Sequence, residues 1–319
     1  MKKSVFVTGA GGYIGKLVIE ALAKDTECIT TLVAHDINEL PENKKIAGVQ
    51  YVQGDIRSEN ISEFLEKYFI DTVVHLASIV TPGKKSNRDF EYSVDVFGTE
   101  NILKASVSNH VKQFIVTSSG AAYGYHQDNP KWLSENDLIR GNEEFAYSCH
   151  KRLVEEMLER YRNDHSEMKQ LILRPGTILG ENTNNQITDL FKKKFVIGIK
   201  GSDIPFVFIW DRDVSSIIEK GILEDKEGIF NLAGDGFLTM KQIAKLLGKS
   251  YIDLPVRLIK TMLYAGKKIG WSQYGPEQVD FLRYRPVLSN TNLKEKFGYI
   301  PKYTSAEVFN FYIKSNLYN

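Results

Sequence analysis

The chain has 319 residues, 42% hydrophobic and 25% charged, enough for one large core or two unequal lobes of a globular protein. Its 41 Lys/Arg stand against 40 Asp/Glu. A net charge of +1 leaves no global electrostatic footprint for nucleic acid or an acidic membrane, so neither is expected as a partner.

In chain order, Ser4-Val5-Phe6-Val7-Thr8 is a short β-branched run that reads as a buried strand. It enters Gly9-Ala10-Gly11-Gly12-Tyr13-Ile14-Gly15, then 16–23, whose apolar residues repeat at helical spacing. A second strand over 28–33 leads to Asp36. Strand, glycine turn, helix, strand, acid is the order of a dinucleotide site. Gly9 permits the tight turn, Gly12 a close approach of the main chain to a pyrophosphate, and Gly15 the packing of helix on strand. Thr8-Gly9-x-x-Gly12-x-x-Gly15 is the three-residue-spaced pattern, and here the chain resembles the short-chain dehydrogenase/reductase superfamily. The resemblance implies that Asp36 accepts hydrogen bonds from the adenosine ribose. Its charge would repel the extra phosphate of NADP, and no Arg follows at 37–40, so NAD is the expected cofactor.

A polar stretch over 39–45 contains Pro41; 49–53 reads as a third strand, stopping at Gly54-Asp55-Ile56. By resemblance Asp55 flanks the adenine; by local chemistry it caps the next helix, with Ser58 as rival. Helix 61–69 precedes strand 71–78, in which His75 reads as a satisfied core histidine and the small residues at the end leave room for a dinucleotide. A loop over 79–90 carries Pro82-Gly83 and three basic residues, Lys84, Lys85 and Arg88, and a long helix is expected over 90–109. There the family pattern has Asn, and this chain has Asp95, before Val96-Phe97-Gly98-Thr99.

Strand 114–119 precedes Gly120-Ala121-Ala122-Tyr123-Gly124 and a polar loop; Tyr147-Ser148-Cys149-His150-Lys151 then opens a helix, and 171–175 is a sixth strand. Strands alternating with helices predict an α/β doubly wound parallel sheet of Rossmann type. The run 206–214 resembles the family's strand-to-helix return to the sheet, 229–234 its following strand, and 293–301 its closing segment. The expected division is therefore 1–175 plus 206–233 for the NAD-binding domain, and 176–205 plus 234–319 for a smaller, discontinuous substrate lobe. Lys192-Lys193-Lys194 reads as a solvated helix face, with a substrate phosphate as the rival reading.

Tyr147 and Lys151 are four apart, one helical turn, on one face. A free phenol, with a pKa near ~10, is a poor base at neutral pH. An ammonium and an oxidised nicotinamide alongside would pull that value down and let Tyr147 exchange a proton with a secondary alcohol or ketone. With the glycine turn, this resembles the extended branch of the superfamily, the NAD-dependent epimerase/dehydratase group. The resemblance implies Ser119 as hydrogen-bond donor to the substrate oxygen, with Ser118 as rival, and Lys151 on the nicotinamide ribose. The implied cofactor contacts are Gly9, Gly11, Gly12, Tyr13, Ile14, Gly15, Asp36, Ile37, Asp55, Ile56, Leu76, Ala77, Ser78, Tyr147, Lys151 and Pro175. It also implies a homodimer through helices 90–109 and 144–162. His150 reads as structural or interfacial.

Three readings of the function fit. One is epimerisation of a sugar nucleotide, the diphosphate meeting 198–205 or Arg283-Tyr284-Arg285-Pro286. The second is oxidation or reduction of a small hydroxy or keto compound, and the third NAD binding without turnover. The Arg-Pro segment lacks the Gly-Asp that often follows it in sugar-nucleotide members. Gly120 and Ala121 stand where the dehydratases carry an Asp-Glu pair, so no 4,6-dehydration is expected. Two cysteines, Cys28 (read as a buried strand residue) and Cys149, give no disulfide framework and no metal spacing. The first strand starts too early for a signal peptide, and no apolar run approaches the ~20 residues of a spanning helix, so a soluble cytoplasmic protein is expected.

Overall fold

The structure, a computed structural model, describes residues 2–80, 87–269 and 275–316. The Pro82-Gly83 turn and Lys84-Lys85 lie outside the described residues. The chain runs β1 (Lys3–Thr8), α1 (Tyr13–Leu22), β2 (Ile29–Asp36), β3 (Gln50–Gln53), α2 (Asn60–Lys67) and β4 (Thr72–His75). Next come α3 (Arg88–Tyr92), a π-helical turn (Ser93–Gly98), α4 (Thr99–Ser108), β5 (Gln113–Thr117), α5 (Ala146–Asp164) and β6 (Lys169–Pro175). The rest is β7 (Thr177–Leu179), α6 (Gln186–Lys192), β8 (Val196–Ile199), β9 (Pro205–Phe206), β10 (Phe208–Trp210), α7 (Asp211–Leu223), β11 (Gly228–Leu232), β12 (Leu238–Thr239), α8 (Met240–Leu246), β13 (Tyr251–Leu254), α9 (Val256–Lys268), α10 (Gln278–Arg283) and α11 (Ser305–Asn316).

Seven strands form one parallel sheet in the order β11-β6-β5-β4-β1-β2-β3. Both faces are buried, which is why the strands are continuous apolar runs rather than alternating ones. Val5, Val7, Leu171 and Leu173 point into one core with α1 and α7, and Phe6, Val73, Phe114 and Ile172 into the other with α2, α4 and α5. The strand order reverses between β1 and β4, so a crevice opens past their carboxyl ends, the place where such sheets bind ligands. This is the doubly wound sheet expected from the sequence.

A third core gathers Phe191, Phe206, Phe208, Phe309 and Tyr312. Phe206 and Phe208 belong to it, and β10 pairs with β7 rather than with the large sheet. The return to the sheet expected from 206 onward is made instead by α7, packed on α1, and by β11. Two further readings are corrected. The helix expected over 90–109 is interrupted by the π-helical turn, which holds Asp95. Cys28 lies just before β2, half-buried, its N–H bonded to Asp25. Among the described residues no helix is long and apolar enough to cross a membrane.

Candidate active site

At the β1–α1 turn, Gly9 adopts φ +67°, and a Cβ there would lie 2.8 Å from the Ala77 nitrogen. A Cβ on Gly15 would lie 2.1 Å from the Gly9 carbonyl oxygen. Neither position tolerates a side chain, so β1, the turn and α1 are held at backbone contact. No side chain caps the N-terminus of α1, whose first N–H groups open toward the crevice. The Asp36 carboxylate accepts from the Gly11 N–H at 2.9 Å and the Asn38 N–H at 2.9 Å. A cleft beside it is lined by Gly11, Asp36, Asn38, Leu40, Val52 and Gln53. An uncapped helix start, a cradle closed to any Cβ and an acid at its rim fit a dinucleotide. Ile37 lies exposed just beyond Asp36.

Tyr13 gives its main chain to this turn but its side chain to a tie. Its hydroxyl donates to Asp211 at 2.5 Å and accepts from Thr183 at 2.9 Å. Burial, first, and the Asp211 carboxylate push the phenol above its ordinary range. Asp55 does not cap α2, which begins at Asn60; it forms a two-pronged ion pair with Arg57, which holds its carboxyl below the usual range. Ile56 is buried under Gly98, where a Cβ would meet it at 2.5 Å. The Leu76 and Ala77 N–H groups donate to the Thr8 hydroxyl at 3.2 and 3.3 Å, which fixes the end of β4 beside the turn. Pro175 ends β6, buried and in register with Leu232.

His75 is the satisfied core histidine the sequence suggests. Its Nδ1 lies 2.8 Å from the Thr8 hydroxyl and its Nε2 2.9 Å from that of Thr99. Thr99 donates to the Asp95 carbonyl, so it accepts from Nε2–H, and Nδ1 is left to accept from Thr8. Burial, first, with the nearby Lys151 charge, lowers the His75 pKa to about 3.

The chemistry expected of α5 converges at its first turns. Ser118 donates to Glu155 at 2.5 Å, and Glu155 pairs with Arg174 at 2.5 Å, all buried. Ser118 is thereby committed to the interior. The Ser119 hydroxyl accepts from the Ala121 N–H at 3.1 Å and faces the Tyr147 phenol. Lys151 donates to the Thr117 carbonyl at 3.0 Å, and its ammonium lies 5.6 Å from the Tyr147 ring centroid. Without the cofactor, burial pushes the Tyr147 phenol well above its ordinary range; Tyr125 and Asp95 add to this and Ser119 opposes it. The lowering expected from Lys151 and an oxidised nicotinamide together has to overcome this burial. Burial also lowers the Lys151 pKa, opposed by Asp95 and Glu155.

Asp95 is the group that sequence reasoning left without a place. Buried in the π-helical turn, it accepts from the Ile79 N–H at 2.8 Å and the Ser78 hydroxyl at 3.0 Å. Its other oxygen lies 3.1 Å from His150 Nδ1, and His150 is 1% exposed, hence structural rather than interfacial. The departure from Asn is thus answered by a histidine 55 residues away. On the opposite wall, Tyr125 and Phe281 pack on Phe145, which touches Tyr147. Arg285 lies over Phe206 at 4.2 Å and bonds Thr177 at 3.3 Å, with no carboxylate partner among the described residues. A surface hollow between α1 and α7, lined by Lys24, Asp25, Arg212 and Glu219, contains none of these groups.

A family model described as the NAD dependent epimerase/dehydratase family matches residues 5–202. The chain belongs to this family. Its cofactor is NAD. Family members differ in reaction. An Escherichia coli O157:H7 N-acetyl-α-D-glucosaminyl-diphospho-ditrans,octacis-undecaprenol 4-epimerase is 31% identical over 194 residues, 60% of this chain and 54% of its own length. An Escherichia coli dTDP-4-dehydro-6-deoxyglucose reductase is 24% identical over 77% of this chain and 81% of its own. The Thermus thermophilus UDP-glucose 4-epimerase in complex with NAD superposes with a TM-score of 0.74 at 20% identity, covering 98% of both chains.

Proposed function

We propose that this protein is an NAD-dependent epimerase or oxidoreductase that acts at a secondary alcohol or ketone of a sugar nucleotide. The observation that carries the reading is the convergence of Ser119, Tyr147 and Lys151 beside the NAD cradle. NAD, when bound, supplies the hydride acceptor. The uncapped start of α1 would hold its pyrophosphate, Asp36 its adenosine ribose and Lys151 its nicotinamide ribose. Ser119 donates a hydrogen bond to the substrate oxygen. Tyr147, as phenolate, takes the hydroxyl proton in oxidation and returns it in reduction. Burial works against that phenolate, so its charge depends on Lys151 and on positive charge brought by the cofactor. Arg285, half-buried and without an acid partner among the described residues, is the group suited to a substrate diphosphate.

The test is a panel of sugar nucleotides incubated with the NAD-loaded protein, with NADH absorbance and product stereochemistry followed together. Inversion at one carbon without net NADH supports epimerisation. Stoichiometric NADH with release of a ketone supports the dehydrogenase reading. Turnover only of small alcohols outside the panel would remove the sugar nucleotide from the proposal, and turnover of nothing would favour a non-catalytic NAD binder.

A further inference from the structure

The charge of this chain is unevenly placed. Residues 192–200 and 241–269 hold eleven Lys/Arg and one acid, Asp253, in a chain whose net charge is +1. All other residues together therefore carry nine more acids than bases. The two segments are one piece of structure: β8 and β13 pair in parallel, and the Lys249 ammonium donates to the carbonyls of Phe191 and Lys193. The same segments contain eight of the sixteen large hydrophobic side chains that stand exposed among the described residues.

Helix α9 concentrates this contrast. Val256, Ile259 and Leu263 face the third core, and no residue of the helix is fully buried. On the outside, Leu258, Met262 and Ile269 are 46%, 56% and 59% exposed. They recur at i, i+4 and i+11, a stripe about 16 Å long that ends on the residue closing the helix. Lys260 and Lys267 are paired with Asp280 and Glu277, but Arg257 and Lys268 have no acid partner among the described residues. Beside the helix, Ile197 of β8 and Ile252 of β13 are register partners and both exposed.

We propose that α9, with the basic surface around β8 and β13, docks this protein on an anionic phospholipid bilayer. The occupant follows from elimination by chemistry. A nucleic acid would answer the cations and leave the apolar stripe in water. A second copy of the same face would cover the stripe while setting ten net positive charges against ten. An acidic headgroup layer over acyl chains answers both, the stripe entering the boundary and the lysines resting on the phosphates.

The test is co-sedimentation of the full chain with vesicles of phosphatidylglycerol mixed with phosphatidylcholine, and with vesicles of phosphatidylcholine alone. Binding is expected only to the anionic vesicles and is weakened by salt. The double variant Leu258→Gln, Met262→Gln should lower the partition roughly tenfold or more while leaving NAD binding unchanged. Arg257→Glu with Lys268→Glu should remove the preference for anionic lipid. No binding to phosphatidylglycerol vesicles at low salt overturns the proposal, as does binding that Leu258→Gln, Met262→Gln leaves intact. A concentration-dependent dimer dissolved by that double variant would overturn it too, in favour of a contact between copies.

Discussion

Among the described residues, Tyr147 has one polar neighbour that favours its charge, Ser119, and three influences against it: burial, Tyr125 and Asp95. Removing the hydroxyl in Tyr147→Phe should cost about 10²–10⁴ in turnover, the usual worth of a general acid/base, with NAD affinity held. Activity within a few-fold of the unmodified protein would assign the proton to another group. Asp95→Asn keeps an acceptor for Ile79 and Ser78 but withdraws a negative charge that raises the Tyr147 pKa. The acid limb of alcohol oxidation, read as kcat against pH, should therefore move to lower pH; a shift upward or none would mean that Asp95 does not act on the phenol. The positions after Ser119 are Gly120 and Ala121, both buried and without a titratable group. Nucleoside-diphosphate glucose incubated with the protein should accordingly yield no 4-keto-6-deoxy sugar, and that product at enzymatic rates would refute the placement of Ser119. How far these residues were legible depended on distance along the chain. The glycine turn and the Tyr147–Lys151 pair are local patterns and could be read directly. Asp95 and His150, 55 residues apart, carry no mark of each other, and Ser118 and Ser119 separate only once Glu155 claims the first.

At the scale of elements, the site stands where three pieces are tied by polar contacts through the sheet. His75 on β4 holds β1 through Thr8 and α4 through Thr99, and only its neutral form can accept from Thr8. Its pKa is depressed from 6.5 to about 3, so the unfolded chain binds more protons between those values. Stability from this group is full above pH 6.5 and is lost progressively as pH falls toward 3. Denaturant midpoints measured across that window should fall on acidification, and His75→Gln should flatten the slope while lowering the midpoint at neutral pH. An unchanged slope would place the acid sensitivity elsewhere. The parallel strands were legible because burial on both faces makes each a plain apolar run. The π-helical turn was not, because 93–98 keeps helical spacing while the backbone widens by one residue to bring Asp95 under Ile79. Helix α9 was hidden differently: averaged over 319 residues its surroundings vanish into a net charge of +1.

For the molecule as a whole, the groups gathered at the site all come from one chain, so a partner subunit is needed for none of them. Even so, the helices expected to dimerise carry the means. α3 and α4 lie against α5 on the outer side of the sheet core. From this layer Phe97 projects, 55% exposed, its edge contact with Tyr92 covering only one side of the ring. Phe90, 45% exposed, stands seven residues before it, under the Arg57 guanidinium. Two half-exposed aromatic rings two turns apart are what a second copy of the same helices would bury, forming a four-helix layer across a two-fold axis. A charge placed there cannot be buried unpaired, so Phe97→Glu should convert a dimer into a monomer. Sedimentation velocity on the unmodified chain and the variant checks this. Because Tyr147 and Lys151 face inward from α5 and the π-helical turn is braced by His150 within the same chain, the monomeric variant should still bind NAD. A Phe97→Glu chain that sediments as a dimer would discard this face, and one that loses NAD would show that the second copy steadies the cradle as well as covering the rings.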